Sequence, residues 1–148
     1  MLWNGKDAMV IATDLQKHFI AITLVLGCLV WVSSAATLRY DVREVDVSAA
    51  NKLIESGAVV VDVRGKSQYK VRHIPGAIAI SIDELRAGIP ARLRNIARHR
   101  PIIVYCNHGM LVSPEATDLL NKAGFAGAVK LKTGIEGWGG AGLPVSRT

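Results

Sequence analysis

The chain has 148 residues, enough for one domain of ordinary size with one modest core. Apolar residues make up 50% of it, mean hydropathy is +0.28 and the net charge is +6, so one segment must be unusually greasy while the rest is basic. Two cysteines exclude a disulfide framework. Few aromatics, with positive charges scattered over many segments, exclude a stacking platform or basic stripe for nucleic acid.

Residues 1–18 form an N-terminal tail in which Lys6 and Lys17 are balanced by Asp7 and Asp14. From Phe19 to Ala36, "FIAITLVLGCLVWVSSAA", no residue is charged, and the run is near the minimum length of a bilayer helix, roughly 17–25 residues. The long, nearly neutral leader favours an uncleaved transmembrane signal anchor at 19–36 over a secretory signal cut at "VSSAAT". A helix apolar all round also fits lipid better than one side of a small domain. Cys28, inside this run, reads as a small hydrophobe. All of the net charge falls on the remainder, where small anions or an anionic membrane surface account for it. Lys6 and Lys17 precede the span and Arg39, Arg43 and Lys52 follow it, which leaves sidedness open. The cytoplasm is favoured over the periplasm because a working thiol prefers a reducing compartment. The expectation is a single-pass protein of a bacterial inner membrane, with residues 37–44 as linker and a domain over 45–148.

Within that domain "TLRYDVREVDV" leads to a first short strand, and Ser48 is expected to cap a helix over "AANKLIES" that stops at Gly57. "AVVVDV", 58–63, is a β-branched run of the kind covered on both faces of a sheet. "SIDELRAGIPARLRNIARHR" reads as a helix interrupted at Pro90, which has no amide hydrogen to give the preceding turn. "PIIVYC", 101–106, is a second buried strand opened by its proline. "SPEATDLLNKAG" is a helix with Ser113 as N-cap, Pro114 at its first position, Glu115 in its first turn and Gly124 at its end. A short strand, "AVKLK", comes before the glycine-rich tail. Strands alternating with helices imply an α/β domain with a central, mostly parallel sheet.

In such sheets the ligand crevice lies beyond the carboxyl ends of the strands, where Cys106 stands. Asn107, His108, Gly109, Met110, Leu111 and Val112 separate it from the next helix and can wrap backbone amides around an anion. The helix N-terminus adds roughly half a positive charge. Both favour thiolate, the nucleophilic form. Gly109 lets the loop fold inward where a side chain would block it. The alternative is a cysteine that merely finishes a buried strand. His108 is either a donor toward bound substrate or a solvated loop residue.

Three stretches, in order, resemble the rhodanese family of sulfurtransferases: "VVVDVRGKSQYKVRHIPGAIAIS", "IIVYCNHG" and "GIEGWGGAGLPV". The likeness runs from about Val45 to Val145. It implies a rhodanese-like fold and a Cys106 persulfide that carries sulfane sulfur from a donor, such as thiosulfate or a protein persulfide, to a thiophilic acceptor. Neither metal nor organic cofactor is implied. Asp62, Arg64 and His73 then read as a supporting frame of ion pairs and hydrogen bonds, Trp138, Gly139 and Gly142 as packing and turn residues, and Lys132 as a solvated charge at the sheet edge. One departure stands out. Many active members carry C-x-x-G-x-R-S, whereas here Leu111 takes the arginine's place and the serine falls at Ser113. Loss of the guanidinium weakens binding of a free dianion, since charge-assisted bonds are about twice as strong as neutral ones. An apolar loop suits sulfur carried on a protein or a small thiol better. It also leaves open a catalytically weak binding module at the membrane. A cysteine phosphatase or arsenate reductase would need the loop arginine.

Overall fold

The computed structural model describes residues 40–148. The apolar segment 19–36, Cys28 and the tail lie outside the described residues. Among the described residues no helix is long and apolar enough to cross a membrane.

In chain order the elements are β1 (Glu44–Val45), α1 (Val47–Glu55), β2 (Val59–Asp62), α2 (Lys66–Val71), β3 (Ile78–Ala79), α3 (Ile82–Arg86), α4 (Ala91–Arg94), β4 (Ile102–Tyr105), α5 (Ser113–Lys122), β5 (Ala128–Leu131) and α6 (Gly134–Gly140). The strands form one five-stranded sheet in the order β1-β5-β4-β2-β3. Every pairing is parallel rather than mostly so, with Asp62 opposite Tyr105 and Val104 opposite Lys130. The connections explain this, because each passes through a crossover rather than a hairpin.

Period-two alternation divides the core between the two faces of the sheet. Val61, Val63, Ile102, Val104 and Cys106 pack with Leu85, Leu93, Leu120 and Phe125. Val60, Ile103 and Tyr105 face the other way, with Ile74, Ile135 and Trp138. All four residues of β4 are buried, as the β-branched run requires.

Three local expectations change. The first helix starts two residues early, and its cap is Asp46, not Ser48: the Asp46 carboxylate accepts from the Ala49 amide at 2.8 Å. Since β1 ends at Val45, the chain turns straight into α1 and Ser48 is already helical. The interrupted helix is two short ones, α3 and α4. Gly88, at φ 132°, breaks the first before Pro90 caps the second. Ser113 is not the cap of α5 either. Val112 holds that place without a side-chain bond, and Ser113 is the first helical residue. Gly57 and Gly124 do end their helices, both at φ 92°.

Candidate active site

Cys106 leaves β4 at its carboxyl end, on the face covered by α3, α4 and α5. The segment that follows is held from three sides. The N-terminus of α6 grips its start: Ile135 donates its amide to the Cys106 carbonyl at 3.0 Å and Glu136 to the Asn107 carbonyl at 3.1 Å. From β5, Lys130 Nζ donates to the Gly109 carbonyl at 3.1 Å while pairing with Glu44 at 2.7 Å. From β2, Arg64 Nη1 donates to Asn107 Oδ1 at 3.0 Å.

Two glycines permit this close packing. Gly109 has φ 74°, and a Cβ there would lie 2.1 Å from the Lys132 carbonyl oxygen. Gly134 has φ 59°, and its Cβ would come within 2.4 Å of the Cys106 carbonyl oxygen. No side chain fits either position.

The Ser113 hydroxyl lies 3.3 Å from Cys106 Sγ, both atoms buried. Burial pushes the thiol up. The Ser113 hydroxyl and the amides of Ser113, Leu111 and Gly109 outweigh it, so the thiol titrates below its ordinary value. Thiolate is therefore stabilised by uncharged donors. Cys106 is only 2% exposed. Cys106 lines a cleft of about 250 Å³ together with Val63, Ile82, Leu111 and Val112 and with Arg64, Gln68 and Asn107.

Arg64 is buried in a frame of its own. Its Nε and Nη2 reach the two oxygens of Asp62 at 2.9 and 2.7 Å, and Nη2 also donates to the Arg72 carbonyl at 2.7 Å. Burial works against the guanidinium's charge, but the Asp62 carboxylate more than compensates and keeps it protonated. Asp62 thus neutralises the guanidinium that holds Asn107.

The remaining residues singled out in the sequence separate into those near the sulfur and those away from it. His73 stacks on Tyr69 with centroids 3.9 Å apart and gives its Nδ1 hydrogen to the Tyr69 carbonyl at 2.9 Å, while its backbone bridges to Ser146. It holds the C-terminal segment and is not part of the sulfur's surroundings. His108 is exposed beside Arg72 and Glu136 in a neighbouring cleft. Met110 and Leu111 project outward at 75% and 74% exposure. Trp138 is buried, with Nε1 donating to the Pro144 carbonyl at 2.9 Å, and Gly142 makes a turn at φ 74°. Lys132 lies mostly in solvent, 3.7 Å from Glu44. Among the described residues no group of three His, Cys, Asp or Glu side chains is placed to hold a metal ion.

Sequence reasoning gave Ser113 both as helix cap and, by resemblance, as the loop serine, of which only the second is seen, and it missed Lys130, Gly134 and the Arg72–Glu136 pair. Only Gly134 had a local signal, in the glycine-rich closing stretch. The contacts of the others depend on strand order and loop path.

Comparison with known proteins agrees with this geometry. The family model described as "Rhodanese-like domain" matches residues 46–141. The uncharacterized protein YibN of Escherichia coli (strain K12) is 34% identical over 119 residues, covering 80% of this chain and 82% of YibN. Among solved structures, the rhodanese-like domain of the Alr3790 protein from Anabaena sp. superposes with a TM-score of 0.61 at 29% identity, covering 71% of this chain and 79% of that one. A rhodanese-related protein from Thermoplasma volcanium gives 0.61 at 27% identity, with 72% and 99% covered. A single cysteine loop on a five-stranded parallel sheet, a family match over most of the described residues and these relatives place the chain in the rhodanese-like domain family.

Proposed function

We propose that the protein is a membrane-anchored sulfurtransferase. The Cys106 thiolate attacks the sulfane sulfur of a donor, the donor's sulfur–sulfur bond breaks, and a thiophilic acceptor later removes the sulfur from the Cys106 persulfide. This is covalent two-step catalysis. One observation carries the reading: the Ser113 hydroxyl and three loop amides converge on Cys106 and hold its thiol below the ordinary value. The same donors would stabilise a terminal persulfide anion. Asn107 to Val112 form the substrate loop, and Asp62 and Arg64 act through Asn107 as positioning residues. No group in the cleft offers an unpaired guanidinium to a dianion.

The anchor reading rests on the uncharged run at 19–36. The domain is assigned to the cytoplasmic side of a bacterial inner membrane, with a small sulfur compound or a persulfide-carrying protein as partner.

A second reading, a binding module with little catalysis, is favoured by the near closure of Cys106 and by the exposed apolar side chains of the neighbouring Met110 and Leu111, the latter lining its cleft. Intact-mass measurement after incubation with a sulfane-sulfur donor separates the two. Gain of one sulfur atom, lost in Cys106→Ala, supports the enzyme. No gain from thiosulfate or from a persulfide leaves the binding module.

A further inference from the structure

The arginines of the described domain differ in what holds them. On the cysteine face and at the carboxyl end of the sheet each has a carboxylate: Arg64 has Asp62, Arg72 has Glu136, Arg86 has Glu115 and Arg92 has Glu84. At the opposite end of the sheet, three have backbone oxygens instead. Arg43 Nη2 donates to the Ala126 carbonyl at 2.6 Å, Arg98 Nη1 to the Ala123 carbonyl at 2.7 Å and Arg100 Nε to the Gly57 carbonyl at 2.9 Å. These acceptors follow α1 and α5 and precede β2 and β5, so all three arginines gather at the amino ends of the parallel strands.

A carbonyl orients a guanidinium but does not cancel its charge, and it leaves other N–H groups free for a second acceptor. All three side chains are on exposed residues, and Arg98 is further fixed by lying 4.1 Å over the Phe125 ring. Of the carboxylates at this end, Asp118 pairs with Lys122 at 2.8 Å and Glu55 accepts from Asn51 at 2.7 Å. Asp41 is one charge against three. The described chain also begins here, with Tyr40 near enough to Lys122 to act on its charge. Whatever path residues 37–39 take, the span from Ala36 to Tyr40 is at most about 14 Å, the reach of a fully extended chain.

Building on the anchor reading, we propose that the amino-terminal end of the sheet docks on the phosphate headgroups of an anionic bilayer through Arg43, Arg98 and Arg100. The carboxyl ends of the strands, Cys106 among them, then face away from the lipid and toward partners in water. Guanidinium and phosphate form charge-assisted bonds, which are the strong ones. Nucleic acid carries the same phosphates, but its bases need aromatic faces to stack on. Here Phe125 is buried beneath Arg98 and Tyr40 is half-buried.

The test reconstitutes the full chain in vesicles of phosphatidylcholine, alone or with about one third phosphatidylglycerol, and follows phenylglyoxal modification of each arginine by peptide mass. Arg147, exposed and next to Thr148, whose amide bonds to Lys70 in α2, is the internal reference. In the anionic vesicles Arg43, Arg98 and Arg100 are expected to react about fivefold more slowly than in the neutral ones, with Arg147 unchanged. High salt should restore their rates. Arg43→Glu with Arg100→Glu should restore the rate at Arg98, while unchanged alkylation of Cys106 shows that the fold survives. Equal rates in the two lipids, or a slowing that Arg147 shares or that outlasts the double substitution, overturns the docking face and leaves the anchor standing. Slowing by added single-stranded RNA in neutral vesicles, with none from phosphatidylglycerol, overturns it in favour of nucleic acid. A chain that floats with neither vesicle overturns the anchor as well.

Discussion

At Cys106 the chain stabilises a negative sulfur without a cation. Desolvation opposes the thiolate, and a hydroxyl and backbone amides overcome that cost. The sign of the pH dependence follows. A thiol held below its ordinary value stays reactive as pH falls past the point where a free thiol is protonated. Alkylation of native protein by a small haloacetamide should thus reach half its maximal rate at a lower pH than alkylation of the unfolded chain. Ser113→Ala removes the strongest of the lowering contacts and should move that midpoint upward. A midpoint in native protein equal to or above that of unfolded protein would contradict the assignment. Leu111 bears on the same chemistry from the other side. Because it projects at the cleft mouth, Leu111→Arg should bring a guanidinium to the loop, lowering KM for thiosulfate about tenfold while leaving the fold unchanged, since charge-assisted bonds to an anion are the strong ones. Steady-state kinetics with thiosulfate as the varied donor would check this. That Cys106 stands where a reactive thiol would be placed could be argued from the residues alone, because strand end, glycine loop and helix start are all local. The residues alone offered Ser113 as a helix cap, and only the family resemblance put it in the loop serine's place, because either use satisfies the same serine.

Among the elements, the helices show how near-equivalent local choices are decided by their neighbours. Asp46 and Ser48 are both acceptable caps, and the carboxylate wins because β1 ends one residue before it. Asp46→Ala should accordingly cost about 1 kcal/mol, whereas Ser48→Ala should cost only a few tenths. Urea midpoints of the two variants would decide between them. Helix α3 has a full capping box, with the Ser81 hydroxyl accepting from the Glu84 amide and the Glu84 carboxylate accepting from the Ser81 amide. Its Arg86 then reaches across to Glu115 in the first turn of α5 at 2.7 Å, which holds that carboxyl below its usual range. Two helices on the face of Cys106 are thereby joined close to the start of α5. The strands were the most readable part of the chain. Runs such as "AVVVDV" and "PIIVYC" become β2 and β4, each shorter by one residue at either end, because a strand buried on both faces permits little besides branched apolar side chains.

For the molecule as a whole, parallel connection decides where chemistry can sit. Every strand's carboxyl end lies at one end of the sheet, and from there β2 sends Arg64, β4 sends Cys106, and β5 sends Lys130 and the turn into α6 to the same loop. If residues 19–36 anchor the chain, the protein should sediment with membranes and be released by detergent but not by high salt. Protease added to sealed inverted vesicles should digest the domain if it lies on the cytoplasmic side. Extraction by salt alone would rule out the anchor, and protection in such vesicles would reverse the sidedness. The sequence alone determined the α/β class, four of the five strands, the cysteine and its glycine loop, because periodicity, propensity and turn chemistry act over a few neighbouring residues; the two-residue β3 and the short α2 and α6 carry too little pattern to be read that way. Only the tertiary structure decided that Lys130 secures Gly109, that Arg64 reaches Asn107, that His73 belongs to the C-terminal segment and that Arg72 faces Glu136 beside the sulfur cleft. Those contacts join residues far apart in the chain, and it is the packing of the sheet that brings them within reach of one another.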